Sequence, residues 1–451
     1  MRTNNKRTST LVEWLERNTL PERVHALLEP IFVACLRRNS DQNGISKARK
    51  ILVVQPDLIG DLLLLSPFLR ELRRFFPHSW ISLVVEPNAF NLVEYCPYVD
   101  EIFLYDCKKW SLYWRWKFFV TGALLSVRHL LSRNFDLAIF PHWEIDHYYG
   151  TMLAYLSGAR YRVSYSESTT AEKRLVNKNY NLLLTHALED STVRHEVEQS
   201  LSMLRALGLK PESGKLEVWL TEEDKQFAAK LLRERNLFEK PLIAVCLGGS
   251  HRRKRWPVER YLEVCRYLVS EYGANLLLVG SASDSAAALQ IAKELRSAVI
   301  DVCGKTTLRQ TAALLQSCRL YVGNDTAPMH MSAALSVPVL AVSCHPADGS
   351  NERSYSPVRF GPWQVDSIVL QPAVAATSCL QPDPDREGQF ICDYCVDSEA
   401  HCILGVQVTE VIEAVDRMLL HTRGTKCEQV EAGTHEFPVA ATAQYEFERS
   451  S

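Results

Sequence analysis

The sequence predicts an α/β protein of two Rossmann-like domains facing across a cleft, and two observations carry that prediction. Short apolar runs alternate with helical patterns from about residue 50 to about residue 420, as parallel strands covered by helices do. One supersecondary start occurs twice, as ILVVQPDLIGDLLLLSPFLRELRRFF from Ile51 and as LIAVCLGGSHRRKRWPVERYLEVCRYLV from Leu242. Each reads as a buried strand, a glycine-bearing turn and a helix with apolar residues at helical spacing. Neither turn carries G-x-G-x-x-G, which disfavours a dinucleotide oxidoreductase.

The elements follow in order. Residues 1–47 form a polar, charged extension with one amphipathic stretch at 24–36, interrupted by Pro30. The first domain occupies 48–220, with strands at 51–54, 81–85, 101–105 and 136–140 and a helix opening at Gly60–Asp61. The second occupies 221–424, joined near Thr221, with strands at 242–247, 275–280, 298–302, 319–323 and 338–342. Its first helix is entered through Pro257, whose missing N–H is no loss at a helix start. From Thr425 the chain is rich in Glu, Thr and Ala without a period, so 425–451 reads as a disordered tail.

Composition narrows the function classes. The 451 residues are 47% hydrophobic and 23% charged, ordinary for a globular chain with a sizeable core. A net charge of −2 gives no global field toward nucleic acid or an acidic membrane, so polyanion recognition must be local. Charges follow MRTNNKR where a signal peptide needs an apolar core, and no apolar run approaches the roughly 20 residues of a membrane span. The 13 cysteines mostly sit singly in apolar runs, which reads as free thiols in a reducing cytoplasm.

Three blocks carry the chemistry: Asp57-Leu-Ile-Gly-Asp61 after the first strand, GGSHRRKRWPVERY from Gly248, and YVGNDTAPMHMSAALSVPVLAV from Tyr321. In this order and context the chain resembles the family 9 glycosyltransferases, best known from the bacterial ADP-heptose:lipopolysaccharide heptosyltransferases. The resemblance implies a GT-B fold, with the acceptor on the N-terminal domain and the nucleotide-sugar donor on the C-terminal one. Two positions depart from the family's pattern. Gln55 stands where a basic residue is usual, which bears on contacts to a phosphorylated acceptor. Ala327 stands where Gly is usual, which bears on the backbone's approach to the donor.

The residues fit that chemistry. Inverting transfer needs a base for the acceptor hydroxyl and a positive environment for the departing diphosphate. Asp61 is the candidate base, the bland alternative being a helix cap. Ser250 and Lys254, by resemblance, fall on donor-phosphate positions, and the helix start beside them is a natural anion site; the alternative is a solvated basic loop. At the third block, backbone N–H groups of Thr326 and Ala327 would face the pyrophosphate. Asp325 would accept bonds from sugar hydroxyls or lock the turn, and His330 would donate to a phosphate oxygen. A plain N-cap with a core histidine is the alternative.

No catalytic metal is expected, and the one D-x-D, Asp383-Pro-Asp385, lies in a Pro-rich loop. Cys379, Cys392, Cys395 and Cys402 leave three readings open: structural zinc, a redox or disulfide pair, or free thiols. The segment 106–119 is dense in aromatics and cations, fitting either a lipid headgroup surface or the domain core.

The leading reading is therefore a metal-independent inverting transferase, moving heptose from ADP-heptose to a lipid- or polysaccharide-linked acceptor. It would be cytoplasmic, peripheral on the inner face of the cytoplasmic membrane, and would bind no nucleic acid. A nucleotide-sugar hydrolase or epimerase of the same fold is one alternative. The other is a non-catalytic nucleotide-sugar binder with a zinc-clamped loop.

Overall fold

A computed structural model describes residues 42–106, 114–235, 240–353, 355–375 and 401–424. The extension before residue 42, the tail after 424, Cys379, Cys392, Cys395 and the Asp383–Asp385 turn lie outside the described residues, as does 107–113 of the aromatic–basic segment.

The first sheet holds β1 (Lys50–Gln55), β2 (Trp80–Val85), β3 (Glu101–Leu104), β4 (Leu137–Phe140), β5 (Tyr161–Tyr165) and β6 (His186–Leu188). The second holds β7 (Leu242–Cys246), β8 (Asn275–Val279), β9 (Val299–Asp301), β10 (Leu320–Asn324), β11 (Val339–Val342) and β12 (Ser367–Leu370). The orders are β3-β2-β1-β4-β5-β6 and β12-β11-β10-β7-β8-β9. All ladders run parallel. Renumbered from its own first strand, the second order is the first one again. Strand order therefore reverses at β1/β4 in one sheet and at β7/β10 in the other. In such sheets, ligands collect at the carboxyl ends beside the reversal.

The strand sequences explain their place. Ile51, Leu52, Val53 and Val54 are all buried, as are Leu276, Leu277, Leu278 and Val279. Continuous β-branched and leucine runs suit strands covered on both faces. Polar β5 reads poorly as such a strand, yet it is buried throughout. Its Arg162 is tolerated because Nε donates to Leu183 O at 2.7 Å and Nη1 to Ala159 O at 2.9 Å.

The helix expected after β1 is two helices, α1 (Ile59–Leu64) and α2 (Ser66–Phe75). Pro67 has no N–H to offer Leu63, so the ladder breaks there. Ser66 Oγ donates to Leu63 O at 2.7 Å and satisfies the carbonyl the proline leaves. Further helices position the site: α3 (Glu196–Ala206), α4 (Glu222–Glu234), α5 (Val258–Tyr272), α6 (Leu308–Leu315), α7 (Ala327–Ala334) and α8 (Val408–Gly424). Thr221 caps α4, its hydroxyl accepting from Asp224 N at 3.2 Å. Helix α5 stops at Gly273, whose left-handed φ of 59° suits glycine.

Cations, of which Arg309 and Arg359 are buried, bind the two halves together. Arg309 of α6 donates to Asp224 at 2.8 Å, to Glu94 at 2.7 Å and to the Asn91 carbonyl at 2.5 Å. Arg353 meets Glu172 at 2.6 Å. Arg359 reaches Glu144 and Glu196, described below.

Candidate active site

Both strand-order reversals place their chemistry at one cleft. From the first sheet, the β1 turn supplies Gln55, Asp57 and Asp61, and the β4 turn supplies His142 and Glu144. From the second, the β7 turn supplies Gly248 to Arg255, and the β10 turn supplies Asn324 to His330. The halves approach closely: a Cβ added at Gly60 would lie 3.1 Å from His330 Cδ2. Any side chain there would press on the imidazole of the opposite domain.

Asp61 sits in the first turn of α1, and Leu58 N donates to its Oδ2 at 3.1 Å. It therefore does cap its helix, but its carboxyl also lines a pocket with Gln55, His142, Glu144, Glu196 and Phe360. Burial raises its pKa to about 8, helped by the charges of Asp57, Glu144 and Glu196 and opposed by His142. A carboxyl held near neutrality is suited to general-base work.

The acids around it are organised by two cations. His142 Nδ1 lies 3.2 Å from Asp57 Oδ2, and its Nε2 lies 3.0 Å from the Ile145 carbonyl. The ring stacks on Phe140 with centroids 5.0 Å apart and planes 4° from parallel. Burial opposes charge on His142, but Asp57 and then Glu144 raise its pKa to about 10, so it stands as an imidazolium. Arg359 is fully buried between the domains. It donates through Nη1 to Glu144 and to Glu352 O, both at 2.7 Å, and through Nε to Glu196 at 2.8 Å. Its guanidinium lies 4.9 Å from the Trp143 ring centroid. Burial works against ionised Glu144, yet Arg359 and His142 hold its pKa below the usual carboxylate range. For Glu196 burial prevails and its pKa is raised.

Across the cleft, the basic loop forms a short helical turn, Arg252–Lys254, before Pro257 opens α5. Ser250 is exposed on this loop. Lys254 Nζ lies 3.3 Å from Asp325 Oδ2, so cation and carboxylate stand side by side at the start of α7. Thr326 is the N-cap of α7 in an extended conformation, its hydroxyl 3.4 Å from Asn324 O and 3.5 Å from Cys246 Sγ. Ala327 opens the helix with Pro328 behind it. His330 is buried, which pulls its pKa down to about 4 despite Asp325, so its ring is neutral. Its Nδ1 has no hydrogen-bond partner among the described residues.

Asn324, quoted in the third block but given no role, proves to be the bracket of this half. Its Nδ2 donates to Leu247 O and Gly248 O, both at 2.9 Å. Its Oδ1 accepts from Trp256 N at 3.2 Å and Tyr261 OH at 2.8 Å. One buried amide thus ties the glycine turn to α5 and to β10. A Cβ at Gly248 would fall 2.4 Å from Asp284 Oδ2, which Ser281 N and Oγ hold in place, so a side chain here would disturb that turn.

The seven predicted site residues divide by sheet: Asp61 on the first, and Ser250, Lys254, Asp325, Thr326, Ala327 and His330 on the second. Sequence reasoning missed His142, Glu144, Glu196 and Arg359. The one available signal was PHWEIDH, a run of titratable residues directly after a strand. Among the described residues no His, Cys, Asp or Glu cluster could hold a metal ion. Cys402 has His401 Nδ1 3.1 Å from its sulfur.

Known proteins share both the fold and the sequence pattern. The crystal structure of a glycosyl transferase family 9 protein from Veillonella parvula superposes with a TM-score of 0.66 at 22% identity, covering 83% of this chain and 98% of that one. The E. coli ADP-heptose LPS heptosyltransferase II structure gives 0.59 at 21% identity, covering 83% and 99%. These place the fold as GT-B. Lipopolysaccharide heptosyltransferase 2 of Salmonella typhimurium is 25% identical over 302 residues, 65% of this chain and 82% of that protein. The profile of glycosyltransferase family 9 (heptosyltransferase) matches residues 125–380, more than half of the sequence, and the chain belongs to that family of glycosyltransferases.

Proposed function

We propose that this glycosyltransferase moves heptose from ADP-heptose onto a lipopolysaccharide-core-like glycan by single displacement with inversion, with Asp61 as base. The carrying observation is the close approach of α1, which bears Asp61, to α7, with Gly60 against His330, at the facing reversals of two identically ordered sheets; Lys254 and Asp325 stand at the start of α7. The acceptor hydroxyl gives its proton to Asp61 as it attacks the anomeric carbon. The sugar–phosphate bond breaks, and its electrons leave with the diphosphate. Lys254 and the backbone N–H groups at the start of α7 meet that charge. Asp325, beside Lys254, accepts from sugar hydroxyls, and Ser250 adds a hydroxyl at the loop. The similarity to heptosyltransferases supports heptose as the sugar. The test incubates the protein with ADP-heptose and a heptose-terminated core oligosaccharide. One added heptose of inverted anomeric configuration is expected; ADP release with no glycan product would favour a hydrolase.

Cations and helix N-termini replace a divalent metal on this account. Transfer should survive EDTA within about twofold. Activity lost to EDTA and restored by Mg²⁺ or Mn²⁺ would reject the metal-free mechanism. Zinc at Cys379, Cys392, Cys395 and Cys402 would appear by elemental analysis at about one per chain and would be structural, so its removal should loosen 379–402 without removing a catalyst.

A lipid-linked acceptor calls for contact with a membrane, and among the described residues no helix is long and apolar enough to cross one. The helix Trp114–Leu125 continues into a π-helical turn, Ser126–Leu130. Val120, Leu124 and Val127 are 48%, 46% and 69% exposed, at helical spacing on one face, with exposed Arg128 and His129 beside them. This outward apolar stripe, just beyond 106–119, supports contact of this helix with a headgroup surface. Each cation near an anionic leaflet adds about 1 kcal/mol, so attachment is weak and salt-sensitive. Replacing Trp114 and Trp116 with Ser should lower recovery on anionic vesicles and use of a lipid-linked acceptor, leaving ADP-heptose binding unchanged. Unfolding of both variants would mean that the segment is core.

A further inference from the structure

The pocket beside Asp61 is short of cations for an incoming anion. Each cation at or next to it is already committed to the protein: His142 to Asp57 and the Ile145 carbonyl, and Arg359 to Glu144, Glu196 and the Glu352 carbonyl. Lys173, beneath the β4 turn, donates to the carbonyls of His142, Trp143 and Tyr165 at 3.0 to 3.3 Å. Against two side-chain cations at the pocket stand four carboxyls: Asp57, Asp61, Glu144 and Glu196.

Gln55 supplies the second observation. It is 5% exposed and lines the pocket, and its Oε1 has no hydrogen-bond partner among the described residues. The amide cannot be turned round to cure this. Its Nε2 donates to Asp57 Oδ2 at 3.1 Å, and a flip would set oxygen against a carboxylate. A buried carbonyl oxygen left unpaired is costly, and a ligand hydroxyl would satisfy it. Phe360 and Leu65 add apolar wall around a recess with room for about one hydroxyl group of a ring held at its mouth.

We infer that this pocket selects a neutral, hydroxyl-bearing acceptor ring, read by Gln55, and excludes a ring bearing phosphate or carboxylate beside the reacting hydroxyl. The inference rests on Asp61 being the base of the proposed function. Gln55 here is a specificity residue: its oxygen accepts from a hydroxyl neighbouring the one that Asp61 deprotonates. A basic residue at this position would instead offer an anion a free partner.

The test uses ADP-heptose with two probes: a core oligosaccharide ending in a phosphorylated heptose, and the same oligosaccharide after phosphatase treatment. The wild-type chain should use the phosphate-free probe with kcat/KM about 10-fold or more above the other. Gln55→Met should raise KM for the phosphate-free probe about 10-fold while kcat and the KM for ADP-heptose stay within about threefold. A merely structural role would not produce that split. Gln55→Lys should shift preference toward the phosphorylated probe by about 10-fold. Equal or better use of the phosphorylated probe by the wild type overturns the proposal, as does an unchanged KM in a folded Gln55→Met variant. If neither probe is glycosylated the acceptor assignment is likewise overturned. ADP release from ADP-heptose alone then decides separately whether the donor half of the proposed function stands.

Discussion

Asp61→Asn should lower turnover by about 10²–10⁴-fold, the usual worth of a general base, with ADP-heptose affinity nearly intact. Asparagine keeps the shape of the side chain and leaves an oxygen to accept from Leu58 N, so the cap of α1 survives while the proton acceptor is lost. The separation matters because Asp61 caps α1 whether or not it is the base, and a stability loss alone would not distinguish the two roles. The pH profile gives the second readout. Burial, with Asp57, Glu144 and Glu196, holds the Asp61 pKa at about 8, and only the deprotonated form can take the acceptor's proton. The wild-type kcat/KM should therefore rise with pH through about 8 and level above it, a limb that Asp61→Asn should lack. Turnover within a few-fold of wild type, or an unchanged limb, would place the base elsewhere.

The parts legible from sequence were those with a local signature. Strands such as Ile51–Val54 and Leu276–Val279 announce themselves as β-branched or leucine runs, and the repeated strand–turn–helix start announces the tandem architecture. β5, β6 and β12 were not legible. Tyr161–Tyr165 carries a buried arginine whose partners, the carbonyls of Ala159 and Leu183, appear only after folding. His186–Leu188 and Ser367–Leu370 are too short to show a period. The break between α1 and α2 was readable from Ser66-Pro67, but the apolar spacing runs straight through it.

The same distinction governs the site. Each predicted residue lies in the loop or the first helical turn that follows β1, β7 or β10, so neighbours in sequence identify it. Of the charged cluster around Asp61, only His142 and Glu144 are neighbours in sequence. His142 and Glu144 follow β4, Glu196 opens α3, and Arg359 arrives from the other domain, some 160 positions beyond Glu196. Strand order alone brings them together. A sequence read without that order sees single charges that pass for surface.

Arg359→Met is accordingly the substitution with the largest expected effect on stability. Among the described residues Arg359 is the only cation hydrogen-bonded to both Glu144 and Glu196, and its removal leaves two carboxyls in a space already shared with Asp57 and Asp61. Breaking a buried pair by deleting one partner typically costs about 3–5 kcal/mol, because the surviving charge has lost its compensation. Urea denaturation followed by tryptophan fluorescence should show a loss of that order. The loss should be largely recovered when Glu144→Gln and Glu196→Gln accompany it, since a neutral set has no stranded charge. Catalysis should answer separately. With Glu144 and Glu196 unpaired, Asp61 meets stronger repulsion, so the acid limb of kcat/KM should move above pH 8 in any folded Arg359→Met protein. In the triple variant, with those two charges gone, it should move below the wild-type position. A limb that stays put in both variants would mean that the cluster holds the domains together without tuning Asp61, and its two roles would reduce to one.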